Sequence, residues 1–104
     1  MLYLGNAFSG GMVIGRGTLD FSEIDEEEFV ALAPHAKSVV GHANTANLLS
    51  KICDYTIPCN REAIHLEVGD VLLVAQCPVR LPEGCIELPP GVKFTYQRWE
   101  LKSN

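Results

Sequence analysis

The sequence is short of basic residues. Eight lysines and arginines stand against thirteen aspartates and glutamates, a formal charge of −5. A surface of that sign cannot displace counterions along a polyanion, so broad, sequence-independent binding to DNA or RNA is excluded. A small anion held in a local basic pocket remains possible. No apolar run approaches the roughly 18 residues needed to span a bilayer. The Met-Leu-Tyr-Leu start also lacks the charged opening and long apolar middle of a signal peptide, so neither a membrane partner nor secretion is expected and the location should be cytoplasmic. Cys53, Cys59, Cys77 and Cys85 contain no C-x-x-C spacing. Without that spacing or an oxidising compartment, neither structural zinc nor disulfides are expected, and four reduced, mostly buried thiols are. The chain also has no acidic cluster to hold magnesium, no nucleophile elbow and no Walker-type glycine loop. No cofactor is expected, and any reaction should proceed without metal.

What is present suffices for one domain. The 104 residues are 47% hydrophobic, enough for a single modest core spanning residues 1–104. The organising stretch is 38–53, SVVGHANTANLLSKIC, in which a short apolar run stops at Gly41-His42 and a helix begins. Asn44 or Thr45 is expected to cap that helix, and Ala46, Leu48, Leu49 and Ile52 supply its apolar face. A helix start presents unpaired N–H groups and a partial positive charge, so an anion can sit there with the His42 imidazole beside it. His42 is therefore the first candidate for chemistry, although a histidine next to glycine also serves as an ordinary turn residue.

Taken in order, 2–8 reads as a first strand entering the turn Ser9-Gly10-Gly11. There Asn6 and Ser9 are small polar groups able to bind a ligand, in a turn whose composition is also that of any turn. A second strand is expected over 12–21, bent at Gly15 and Gly17. Ser22 with Asp25 resembles a capping box, and the acidic run 25–28 fits the first turn of a short helix ended by Pro34. His35 should be exposed. Residues 61–67 alternate as a strand does, and Val68-Gly69-Asp70 is expected to turn them into an antiparallel hairpin with 71–76, placing His65 in a structural position. The continuous apolar run 71–75 should be the centre of the sheet. Residues 77–90 carry four prolines and no regular pattern, as in a functional connection that covers a site. Arg80 and Glu83 lie in it, either as a surface ion pair or as a phosphate clamp and proton acceptor. A last strand, 92–101, is packed by Trp99. The fold class is α/β, a mixed sheet of roughly five strands with flanking helices.

Asn6, Ser9, His42, Arg61, Gln76, Arg80 and Glu83 form the candidate set. A histidine, an arginine and a nearby glutamate suffice to cleave an RNA phosphodiester when the substrate's own 2'-hydroxyl is the nucleophile. The order N-A-F-S (6–9), V-V-G-H (39–42) before an Asn/Thr-rich helix start, N-R (60–61), G-D (69–70) and Q-x-x-x-R-L-P-E-G (76–84) resembles the viral anti-CRISPR ring nucleases. That family degrades cyclic tetra-adenylate, the second messenger of type III CRISPR defence. The resemblance covers nearly the whole chain. It implies His42 as the general acid on the leaving 5'-oxygen, Arg80 as the stabiliser of phosphate charge and Glu83 as the residue orienting or deprotonating the 2'-hydroxyl. It further implies Asn6, Ser9, Arg61 and Gln76 as ring-holding residues and a homodimer with the ring across its two-fold axis. Gly10-Gly11 and the short 87–91 segment depart from relatives that carry bulkier residues or an added helix there. Two rivals stand beside the enzyme. A binding module would sequester or sense a cyclic nucleotide using the arginines without a proton donor, and an interaction protein sharing only the fold would have no affinity for the nucleotide.

Overall fold

The apolar run 71–75, continued by Gln76, forms the middle strand of a sheet in the computed structural model of the chain, which describes residues 1–81, 84 and 87–103. In chain order the elements are β1 (Leu2–Gly5), β2 (Thr18–Ile24), α1 (Glu26–Leu32), β3 (Lys37–Ser38), α2 (Ala43–Cys53), β4 (Val71–Gln76) and β5 (Thr95–Lys102), with 3-10 turns at Gly10–Met12 and Ala33–His35. The five strands lie in the order β2-β5-β4-β1-β3. β1 runs parallel to both β3 and β4, while β5 is antiparallel to β4 and β2. The expected single α/β domain with a mixed five-stranded sheet and two helices is what forms.

β4 lacks the alternation of a half-exposed strand because both its faces are covered. Leu73 and Ala75 turn toward the helices and pack with Leu4, Phe29, Ala46 and Leu49. Leu72 and Val74 turn the other way, toward Val39, Ile64, Leu66 and Leu101. Each fully buried leucine or valine side chain contributes about 1.5–3 kcal/mol, so this strand unites two cores.

Several local expectations gave way to tertiary pairing. The second strand is Thr18–Ile24 rather than 12–21, because register with β5 runs from Thr18 opposite Lys102 to Ile24 opposite Tyr96. Ser22 therefore stays in the strand opposite Arg98 and caps nothing. Asp25 is the cap, accepting the Glu28 N–H at 2.8 Å. The first strand ends at Gly5, and the last occupies Thr95–Lys102. Residues 61–67 form no hairpin. β4 is already paired along both edges, so the segment lies across the sheet, burying Ile64 and Leu66 and bonding the Leu66 N–H to the Met12 carbonyl at 2.6 Å. The alternation was real as burial, not as a strand. His65 consequently points outward, exposed like His35. Gly69-Asp70 still makes the expected turn. Gly69 has φ +96°, and the Asp70 carboxylate, nearly buried, accepts the Glu67 N–H and pairs with the N-terminal ammonium at 3.1 Å. The thiols divide: Cys53 is buried, Cys77 half-buried and Cys59 exposed, all unpaired, while Cys85 lies outside the described residues. No helix among the described residues is long and apolar enough to cross a membrane.

Tyr96 joins α1 to the sheet. Its ring stacks on Phe29 at 4.3 Å, and its hydroxyl donates to Glu26 Oε1 at 3.1 Å. Burial, reinforced by the Glu26 charge and that bond, pushes the Tyr96 pKa well above the ordinary tyrosine value. Burial, then Glu26, raises the Cys53 thiol in the same direction. Above about pH 10 an unfolded tyrosine releases its proton while the folded one keeps it, so stability present below that pH is lost as pH rises. Tyr96→Phe is expected to cost about 1 kcal/mol at neutral pH. It should also show a smaller drop in melting temperature than the wild type between about pH 9 and pH 11. Equal drops would mean that Tyr96 contributes nothing to alkaline unfolding.

Candidate functional site

The parallel pair β1 and β4 finishes at one edge of the sheet, and the start of α2 comes up beside it. Gly5 pairs with Val74, so Asn6 leaves β1 while Ala75 and Gln76 carry β4 onward. Gly5 packs in ordinary contact: an added Cβ would stand 3.5 and 3.6 Å from the Leu72 and Val39 side chains. Across this edge stands α2, whose N-cap is His42 in an extended conformation (φ −126°, ψ 126°) with its carbonyl accepting the Ala46 N–H at 3.0 Å. Neither Asn44 nor Thr45 caps the helix. Both lie inside it, because the turn into helix falls at His42, two or three residues earlier, and the His42 ring makes no cap bond either.

Between these parts lies a groove of about 730 Å³, within the range of roughly 300–1,000 Å³ usual for small-molecule sites. Its polar lining is Asn6, His42, Asn44, Thr45, Gln76 and Arg80; Ala75, Cys77, Val79 and Leu81 supply the apolar part. Among the described lining residues there is no carboxylate. The groove thus combines one fixed cation, one imidazole, three amides and a hydroxyl against an apolar wall, a donor-rich set suited to anionic oxygen and to the edges of heterocycles.

Four of the residues expected from sequence, Asn6, His42, Gln76 and Arg80, line this groove. His42, Gln76 and Arg80 are exposed to solvent, and Asn6 is half-buried. Arg61 is nearby but not in the lining. Asn60 is tied to the chain before the helix, its N–H donating to the Val40 carbonyl at 2.8 Å and its amide to the Ser38 carbonyl at 3.1 Å. This sets the Arg61 stem against Gly41, where an added Cβ would stand 3.4 Å from Arg61 Cγ. Ser9 also lies outside the lining. Its hydroxyl accepts the Gly11 N–H at 3.3 Å and caps the short 3-10 turn. Glu83 falls outside the described residues.

The sequence profile of the family described as STIV B116-like matches residues 2–90. The chain belongs to the STIV B116-like family. Its relatives include uncharacterized protein 26 of Sulfolobus islandicus filamentous virus (isolate Iceland/Hveragerdi), 37% identical over 87 residues, with 81% of this chain and 74% of that protein covered. Uncharacterized protein ORF116 of Acidianus filamentous virus 1 (isolate United States/Yellowstone) is 31% identical over 85 residues, with coverages of 79% and 73%. The solved structure of B116 of Sulfolobus turreted icosahedral virus is similar in fold, with a TM-score of 0.86 at 24% identity over 95% of this chain and 97% of that one.

In this STIV B116-like chain, reading the sequence overlooked Asn44 and Thr45 as groove residues. Their position within one turn of His42 was the available signal, since whatever lies at a helix start shares its surroundings. Cys77, Val79 and Leu81 carried no signal beyond membership of the 77–90 connection. The mounting of Asn6 and Ser9 was also unseen. Phe8 between them stacks on Trp99 at 4.5 Å and 6°, and Trp99 stacks in turn on Phe21 at 4.7 Å. Trp99 and Phe21 are cross-strand partners, so the sheet itself supports the turn that carries Asn6 and Ser9. Phe8→Ala is expected to cost about 2 kcal/mol, near the lower end of large-to-small losses because Phe8 is only half-buried. Emission from the single tryptophan should shift to longer wavelength. Unchanged emission and stability would remove Phe8 as the anchor of this turn.

Proposed function

We propose that this protein is a metal-independent ring nuclease. On this reading it binds cyclic tetra-adenylate and cleaves it to linear di-adenylate with 2',3'-cyclic phosphate ends, silencing type III CRISPR signalling as an anti-CRISPR. The observation that carries the reading is the groove. On a chain of net charge −5, the described residues around it offer an arginine, an imidazole and amides beside a helix start, with no carboxylate to repel phosphate. The order of sequence motifs supports it, and membership of a family with relatives in viruses agrees with a role against a host's defence.

The proposed chemistry follows from the residues. A 2'-hydroxyl attacks the adjacent phosphorus in line with the 5'-oxygen, forming the 2',3'-cyclic phosphate as the P–O5' bond breaks. His42 gives its proton to that departing oxygen. Arg80 meets the charge that builds on the phosphoryl oxygens, in a groove that the first turn of α2 also lines through Asn44 and Thr45. Glu83 orients or deprotonates the 2'-hydroxyl. Asn6 and Gln76, at the ends of β1 and β4, hold the ring through amide hydrogen bonds. Ser9 and Arg61 contribute from the flanks, Arg61 by adding positive charge next to Gly41-His42. A ring with four equivalent edges is matched by two copies of the groove across a two-fold axis, so the working unit is a homodimer.

His42→Ala should retain ring binding but lose turnover by on the order of a hundredfold or more, the value of a general acid. An unchanged single-turnover rate would take His42 out of the mechanism. Arg80→Ala should weaken both ring retention and rate, because a charge-assisted contact with phosphate serves binding and the transition state together. Wild-type kinetics in that variant would mean that Arg80 clamps no phosphate.

A further inference from the structure

Arg61 is carried by a segment that belongs to no strand. From Pro58 to Ala63 the residues are exposed except Asn60, which is half-buried. Buried Ile57 and Ile64 anchor the two ends of the segment in different cores, and its middle is fastened to the chain that leads into His42. Ser38, the last residue of β3, is buried; its hydroxyl donates to the Pro58 carbonyl at 2.7 Å and accepts the Val40 N–H at 3.3 Å. The Asn60 N–H donates to the Val40 carbonyl at 2.8 Å, and its side-chain amide donates to the Ser38 carbonyl at 3.1 Å and to Glu62 Oε2 at 3.2 Å. Glu62 Oε1 accepts from Lys37 Nζ at 3.3 Å. Both oxygens of the carboxylate next to Arg61 are therefore engaged, and Arg61 forms no ion pair with a described residue.

We infer that Asn60 is a positioning residue for Arg61. The inference rests on the groove being the ring-binding site, where Arg61 adds positive charge beside Gly41-His42. The Asn60 amide reaches from the backbone just ahead of His42 to the side chain just after Arg61, so one group fixes where the arginine stands relative to the helix start. A long side chain on a strandless segment would lose conformational freedom on meeting a phosphate. Holding its backbone against 38–40, with its stem beside Gly41, removes part of that loss before the ring arrives. The task calls for two N–H donors on one short side chain, since a carbonyl and a carboxylate are met together. Aspartate has the same shape but no donor, and its charge would face Glu62.

Backbone 15N relaxation of the ligand-free, full-length protein tests whether Asn60 holds the segment. In Asn60→Ala the order parameters of Cys59, Arg61 and Glu62 should fall from about 0.85 toward about 0.6, while those of α2 stay unchanged. The Ser38–Pro58 bond and the backbone bond from residue 60 to Val40 do not involve the side chain removed, so the fold is retained. Single-turnover cleavage of cyclic tetra-adenylate over a range of protein concentrations tests whether the hold serves Arg61. Asn60→Ala and Asn60→Asp should each raise the half-saturating concentration about three- to tenfold, the effect of one such bond, and leave the maximal rate within about twofold. In an Arg61→Ala background Asn60→Ala should add nothing, because the residue it positions is gone. Unchanged order at 59–62, a loss confined to the maximal rate, or the same added loss in the Arg61→Ala background would each overturn the inference. A wild-type protein that neither binds nor cleaves the ring would instead contradict the nucleotide reading, and the relaxation data would still decide whether Asn60 holds Arg61 in place.

Discussion

β4 is paired along both edges and covered on both faces, and the remaining elements take their places from that constraint. β1 lies parallel on one edge and β5 antiparallel on the other. Leu73 and Ala75 serve the helix-side core, and Leu72 and Val74 the opposite one. Since β1 and β4 are parallel, both end at the same edge of the sheet, with α2 starting beside it. An open crevice at the carboxyl ends of neighbouring parallel strands is where α/β sheets commonly bind ligands. The groove is a consequence of the pairing pattern, before any side chain in it is considered.

The charge of the chain makes that groove informative. An acidic protein gains solubility from its surface but repels anions over most of it. Six of its thirteen acidic residues are engaged elsewhere. Asp25 and Glu26 belong to the start of α1 and its link to Tyr96, Asp70 holds the N-terminus, and Glu62, Glu100 and Asp20 pair with Lys37, Arg98 and Lys102. Exposed pairs of that kind add little stability, roughly 0–1 kcal/mol each. Their value here lies in where the carboxylates are not. Among the described residues of the groove, the ionisable side chains are Arg80, His42 and Cys77.

Much of this was legible from residue order. The run 71–75 announced a strand covered on both sides, and the periodicity after His42 announced α2. Asn6, His42, Gln76 and Arg80 could be found because each stands where a regular element begins or ends, or shortly beyond. The failures have one physical origin: local pattern does not know which edges are occupied. Residues 61–67 alternate because Ile64 and Leu66 cover a core, yet both edges of β4, the strand they were expected to join, were already taken by β1 and β5. Ser22 has the chemistry of a cap, but pairing with Arg98 across to β5 keeps it extended. The Gly84 N–H donates to Asn44 Oδ1 at 3.2 Å, a bond with no sequence signal because its partners stand forty residues apart. Arg61 stands beside Gly41, on the flank and not in the groove lining, placed there by Asn60 bonds to the backbone at 38–40.

The proposed activity requires that the groove cleave a cyclic oligonucleotide without metal. The direct measurement is incubation of the purified protein with cyclic tetra-adenylate in excess EDTA, with products separated by chromatography and identified by mass spectrometry. Linear di-adenylate carrying a 2',3'-cyclic phosphate is the predicted product. Ring recovered intact would contradict the enzyme, and its co-elution or separation from the protein would then distinguish a sequestering module from a protein with no affinity for the nucleotide.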